Sequence, residues 1–134
     1  VAKLVLTNAN VTLAGTDISA NVASVTLTSS VNEVETTSFG QGAVTRVAGL
    51  IDNSVTLDLH QDYSAVEGLV YPLLGGTAVS ITVKPNGTAV STANPSYTGN
   101  VLITEWTPVN GAVGELATVS VTWPISGTIT KATA

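Results

Sequence analysis

His60 is the only histidine of the chain, and Asp58 and Asp62 stand two positions to either side of it. In an unbroken strand, side chains at i, i+2 and i+4 share a face, so the three would present an imidazole between two carboxylates, a set able to hold a cation. Such a site would still need ligands from another element. A polar row on the outer side of a half-buried strand accounts for the same spacing and is commoner.

Other catalytic constellations find less support. Serines are abundant, but no G-x-S-x-G elbow occurs and one histidine would have to serve as base for all of them. The carboxylates Glu33, Glu35, Asp52, Asp58, Asp62, Glu67, Glu105 and Glu115 are scattered, and spacing pairs no two of them for acid and base work. Neither G-x-G-x-x-G nor a Walker A sequence is present, and Gly75-Gly76 reads as a helix terminator. Zero cysteines exclude disulfides, thiolate metal sites and thiol nucleophiles. The expectation is a non-enzymatic chain with no catalytic residue, no metal site and no cofactor. Asn10-Val11-Thr12 and Asn86-Gly87-Thr88 match the glycosylation sequon, a pattern that is silent in a cytosolic chain.

The elements that carry these residues are strands. Val and Thr together make up roughly a third of the chain, and both pack well on a pleated surface. The length, 134 residues, suits one domain over 1–134. Hydrophobic residues reach 44% and charged ones only 10%, against roughly 25% charged in ordinary soluble domains. A net charge of −5 with four basic residues argues against a nucleic-acid-binding patch. No apolar run approaches the ~20 residues of a spanning helix. Val1 to Thr7 alternates like a strand and not like a secretion signal, as would a mature chain whose signal had been removed; the absence of Met fits a trimmed initiator, so synthesis in a bacterial cytoplasm is expected.

Period-two alternation predicts short strands at 3–7 and 10–13, a turn at Gly15-Thr16-Asp17, and a long strand from Val22 towards Val34. In Ser54-Val55-Thr56-Leu57-Asp58-Leu59-His60, Val55, Leu57 and Leu59 share the inner face. Ser64-Ala65-Val66-Glu67 reads as a capping box, and Val66, Leu69, Val70 and Leu73 make a helical stripe, with Pro72 weakening the last turn. Further strands are expected at 78–83, 99–106 and 117–123, and 127–130 after a break at Pro124. Trp106 and Trp123 end two of them and read as core lids, with interface anchors as the alternative. The sum is a mainly β fold, a sandwich or barrel of about eight strands with one short flanking helix at about 64–74.

The region at about 32–47 lacks its own core pattern and reads as an extended arm. Glu33, Glu35, Phe39 and Arg46 are its candidate contacts between subunits or rings. A strand-rich chain has sheet edges, which solitary proteins guard with Lys, Pro or charge. Guards are scarce here, which points to coverage by neighbouring copies.

Several segments carry a resemblance: Val22-Ala23-Ser24-Val25-Thr26-Leu27, Thr37-Ser38-Phe39-Gly40, the run from Ser54 to Tyr63, Asn94-Pro95-Ser96-Tyr97-Thr98-Gly99, and the run from Ala117 to Gly127. Together they resemble the tail-tube, or major tail, proteins of long-tailed (siphovirus-type) phages of actinobacteria. The resemblance implies a virion protein of the tail, made in the host cytoplasm, in which six copies close a ring and rings stack into a hollow tube. DNA would pass through the lumen without specific binding, and a tape-measure protein and other tail proteins would be partners. At −5 per copy a ring carries about −30, a charge that keeps a polyanion from sticking. A capsid decoration or head–tail connector subunit, or an immunoglobulin-like adhesion module, would share much of this composition.

Overall fold

The computed structural model describes residues 8–133; the strand expected at 3–7 lies outside them. The described residues form eight strands: β1 (Asn10–Leu13), β2 (Thr16–Asp17), β3 (Val22–Glu35), β4 (Arg46–His60), β5 (Val79–Lys84), β6 (Ser96–Val101), β7 (Thr118–Ile125) and β8 (Thr130–Ala132). One helix, α1 (Val66–Val70), continues into a 3-10 turn at Tyr71–Leu73. The strands form a single antiparallel sheet in the order β2-β1-β5-β6-β7-β4-β3, with β8 also beside β6.

The sheet wraps one core. Val11 and Leu13 of β1, Val55, Leu57 and Leu59 of β4, Ile81 of β5, and Val119, Val121 and Trp123 of β7 meet in one buried cluster with Val66 and Val70 of α1. Each such aliphatic side chain contributes about 1.5–3 kcal/mol on burial. Along the second half of β4, from Asn53, and along β7 burial alternates strictly, so Thr56, Asp58, Ser120 and Thr122 face away from the core, as the period-two pattern predicts.

Helix α1 keeps the expected stripe but not the expected cap. Val66 and Val70 are buried and Leu69 and Leu73 pack beside them. The first turn is capped by Asp62, whose Oδ1 accepts from Ser64 N (3.0 Å), Ser64 Oγ (2.8 Å) and Ala65 N (3.0 Å). Glu67, the expected box partner of Ser64, instead accepts a hydrogen bond from the Trp106 indole. Pro72 sits in the 3-10 turn, where its ring replaces a donor the α-helix would have needed.

Four boundaries differ from the expected ones, the simplest being the last strand, expected at 127–130 and found as β8 at Thr130–Ala132 after the bend at Ser126-Gly127. The first hairpin turns at Ala14-Gly15, with Thr16 and Asp17 already paired to β1. The strand expected at 99–106 is β6, which begins at Ser96 and ends at Val101; beyond it Leu102 N donates to Pro124 O (3.0 Å). Pro124 therefore does not break β7. A strand residue points its N–H and C=O the same way, so the donor Pro124 lacks would face Leu102 and not β4, and no ladder bond to Ser54 is lost.

The long pair β3 and β4 dominates the shape. At 15 residues β4 is about 50 Å long, and only its second half lies over the core. The stretch read as an arm at about 32–47 is the free end of this hairpin, paired up to Glu35 and Arg46 and closed by the loop 36–45.

Candidate functional site

Asp58, His60 and Asp62 do not assemble into a site. Asp58 and His60 stand on the outward side of β4, while Asp62 lies beyond the strand and is engaged in capping. The backbone N–H of Ala65, followed by the hydroxyl and N–H of Ser64, holds the Asp62 carboxyl below the usual carboxylate range. Among the described residues no three His, Cys, Asp or Glu side chains cluster as metal ligands.

The arm is where the structure departs from a self-contained domain. Across β3 and β4 the inward pairs run Val25↔Leu57, Leu27↔Val55, Ser29↔Asn53 and Val31↔Ile51. Val55 and Leu57 are buried, yet Val31 and Ile51, next on the same face, are more than half exposed, since no other element among the described residues covers them. The boundary falls at Asn53, whose Nδ2 donates to Gly127 O (3.1 Å) while its buried Oδ1 has no partner among the described residues.

Past this boundary the register shifts between Val31 and Glu33. A β-bulge there sets Gly49 and Leu50 of β4 against Asn32 of β3, and Leu50 is 85% exposed. A Cβ on Gly49 would lie 2.9 Å from the Asn32 carbonyl oxygen and 3.2 Å from Val34 Cγ2, so only glycine fits. Val34 and Val47 then pair, both exposed.

Of the expected contacts, the structure brings together Glu33, Glu35 and Arg46. Glu33 Oε1 lies 2.7 Å from Arg46 Nε, and Glu35 is the direct partner of Arg46 across the ladder. Phe39 stands apart at the tip with its ring wholly exposed. The tip itself is held by Thr36 N to Thr45 O (2.8 Å), Thr45 N to Thr37 Oγ1 (2.9 Å) and Ser38 N to Gln41 Oε1 (2.7 Å). Arm apolar residues that the sequence reading did not single out are Val31, Val34, Val47, Leu50 and Ile51. Their signal was the run Val47 to Ile51, which does not alternate because the bulge interrupts it.

A second apolar surface lies at the other end of β4. Gln61 N donates to Ala117 O (3.0 Å), and Tyr63 Oη to Pro108 O (2.9 Å), fastening the loop 107–117 there. This loop exposes Val109, Val113 and Leu116. The outward face of β3, β4 and β7 between the two ends is rich in hydroxyls, with Thr56 and Thr122 hydroxyls 3.1 Å apart and Ser24 and Ser120 flanking Asp58.

No protein-family model and no curated protein sequence matches the chain. Solved structures do resemble it. A chain of the sheath/tube terminator of an extracellular contractile injection system, PVC, in the extended state superposes with a TM-score of 0.74 at 15% identity, over 98% of this chain and 97% of that one. A chain of the virion of a native gene transfer agent particle gives 0.76 at 12%, over 96% and 98%. A chain of the anti-feeding prophage cap, described as a tube terminating cap, gives 0.68 at 17%, over 100% and 94%. At such identities the likeness establishes a shared fold.

Proposed function

We propose that the chain is a structural subunit of a phage-type tail tube, which closes into rings of six that stack around a channel for DNA. The observation that carries this is the exposed apolar row at the base of the arm, where Val31 and Ile51 continue a core face that the described residues leave open. Exposed contiguous apolar surface on a soluble chain marks an interface. The shared fold with chains of injection-system, gene-transfer-agent and prophage-cap assemblies supports the same reading.

In this reading the arm, with Glu33, Glu35, Phe39 and Arg46, meets a neighbouring copy. The arm and the loop 107–117 differ in shape and lie at opposite ends of β4, as heterologous contacts require. The hydroxyl-rich outward face with Asp58 suits a channel wall, since a neutral to acidic surface does not hold a polyanion. A tape-measure protein and other tail proteins are partners, and the site of action is the virion tail.

A second reading is a tube terminator, favoured by the terminator and the terminating cap among the similar structures. Negative-stain microscopy of the purified chain at rising concentration separates the two. Stacked tubes support the tube subunit, single closed rings support the terminator, and a monomer at every concentration overturns both.

A further inference from the structure

The chain contains two Asn-Gly steps in turns, Asn86-Gly87 and Asn110-Gly111, which the fold treats in opposite ways. Asn-Gly is the dipeptide most open to intramolecular attack on the asparagine side chain, because glycine places no Cβ beside the attacking nitrogen. Whether attack occurs depends on how freely the asparagine can turn.

Asn86 is clamped. Its N–H donates to Asn94 Oδ1 (3.0 Å), its carbonyl accepts from Asn94 Nδ2 (3.0 Å), and its own Oδ1 accepts from Thr88 N (3.2 Å). An isolated bridge joins it to Asn8, whose Nδ2 would lie 3.3 Å from a Cβ on Gly87. Asn94, the residue that organises this turn, is itself buried.

Asn110 is exposed, as is Gly111, whose φ of 154° only glycine adopts easily. Among the described residues the only hydrogen bond at Asn110 is from Thr118 N to its backbone carbonyl (3.3 Å), and its side-chain amide has none. The amide is free to swing towards the Gly111 nitrogen.

We infer that Asn110 is a site of spontaneous deamidation, and that Asn86 is protected from it by the fold. The Gly111 nitrogen gives up its proton and bonds to Asn110 Cγ. The Cγ–Nδ2 bond breaks and Nδ2 leaves as ammonia, closing a succinimide. Water then adds to one of the two ring carbonyls and opens it to aspartate or isoaspartate. One water enters, one ammonia departs, and nothing is oxidised or reduced. The product sets a new carboxylate between Val109 and Val113, in the apolar loop at one end of β4.

The test is to age the purified chain in mildly alkaline buffer and digest it at acid pH with a protease that cuts after glutamate. The fragment 106–115 carries Asn110 and the fragment 68–105 carries Asn86, and each deamidation adds about 1 Da. The folded chain should convert 106–115 at least about tenfold faster than 68–105, since Asn86 must first give up hydrogen bonds. In denaturant the two rates should converge, and Asn110→Gln should abolish the gain in 106–115. Equal rates in the folded chain, or a faster gain in 68–105, would overturn the inference, as would a difference that survives denaturation.

Discussion

Val31 stands directly opposite Ile51 on the face of the β3–β4 ribbon that, two pairs back at Leu27 and Val55, packs on the core. The same face is thus core at one end of the hairpin and surface at the other. Nothing in strand chemistry changes between the two pairs; what changes is whether another of the described elements packs over the face.

Replacing Ile51 with Thr should separate assembly from folding. Thr keeps the β-branch and strand preference, and the site is already exposed, so monomer stability should move by no more than about 0.5 kcal/mol. On the proposed function, which seats this face against a neighbouring copy, loss of apolar contact should raise the concentration needed for assembly about tenfold, equivalent to about 1.4 kcal/mol. Sedimentation velocity read beside thermal unfolding checks both, and a large drop in thermal midpoint with assembly intact would refute the interface.

The ion pair of Glu33 and Arg46 should matter little to the isolated chain. Both side chains are half exposed or more, and such pairs couple by about 0.2–1 kcal/mol at low salt. A double-mutant cycle with Glu33→Gln and Arg46→Gln should give a coupling in that range that fades at high salt. A markedly larger value in the monomer would mean that the arm is ordered by this pair.

Much of the fold is legible in the sequence because one physical rule governs it. Val55, Leu57 and Leu59 alternate, and so does their burial; Val66, Leu69, Val70 and Leu73 recur at helical spacing, and all four turn inward. Legibility fails where a second partner competes for a group. Ser64-x-x-Glu67 has the form of a capping box, but Trp106 claims Glu67 and Asp62 reaches the free N–H groups first. Pro124 reads as a breaker because sequence does not say which edge of β7 its missing donor would face. The candidate surface is half visible: the charges and Phe39 stand out as polar or isolated residues, whereas Leu50 and Ile51 look like core, and only the structure shows them exposed among the described residues.

Trp123 and Trp106 should respond differently to truncation. Their rings lie 6.3 Å apart at 31°, but Trp123 is fully buried, with Nε1 donating to Glu105 O (2.8 Å), whereas Trp106 closes the edge of the core. Trp123→Ala should cost about 3–5 kcal/mol. Trp106→Phe, which keeps the ring but strands the Glu67 carboxylate, should cost about 1–3 kcal/mol. Urea unfolding measures both; equal losses would contradict this division of the pair.

Acid should weaken the start of α1. The hydrogen bonds from Ala65 and Ser64 favour the charged form of Asp62, so its folded pKa lies below the unfolded one. The contribution is therefore fully present above the ordinary aspartate value, about 4, and is lost as pH falls through the lower folded value. Asp62→Asn keeps an acceptor but has no charge to titrate, so the thermal midpoint of that variant should fall less steeply than wild type over this window. Parallel curves would show that Asp62 is not linked to folding.

Gly49→Ala offers the sharpest test of the arm's built shape. The bulge at Asn32 lets two residues of β4 oppose one of β3, and the ribbon bends there before Val34 and Val47 pair. An alanine Cβ would meet the Asn32 carbonyl at 2.9 Å, closer than real contacts allow, and backbone cannot give way as a flexible side chain would. The ladder from Glu33 to Glu35 must then shift or open, carrying the loop 36–45 and Phe39 with it. Because no core residue among the described ones lies on that side of Asn53, the body should keep its unfolding midpoint while amide exchange at the arm, from Glu33 to Ala48, speeds up. Assembly should fail even though every apolar side chain of the surface is still present. If the variant assembles normally with the arm protected, the bend is incidental and the contact depends on side chains alone.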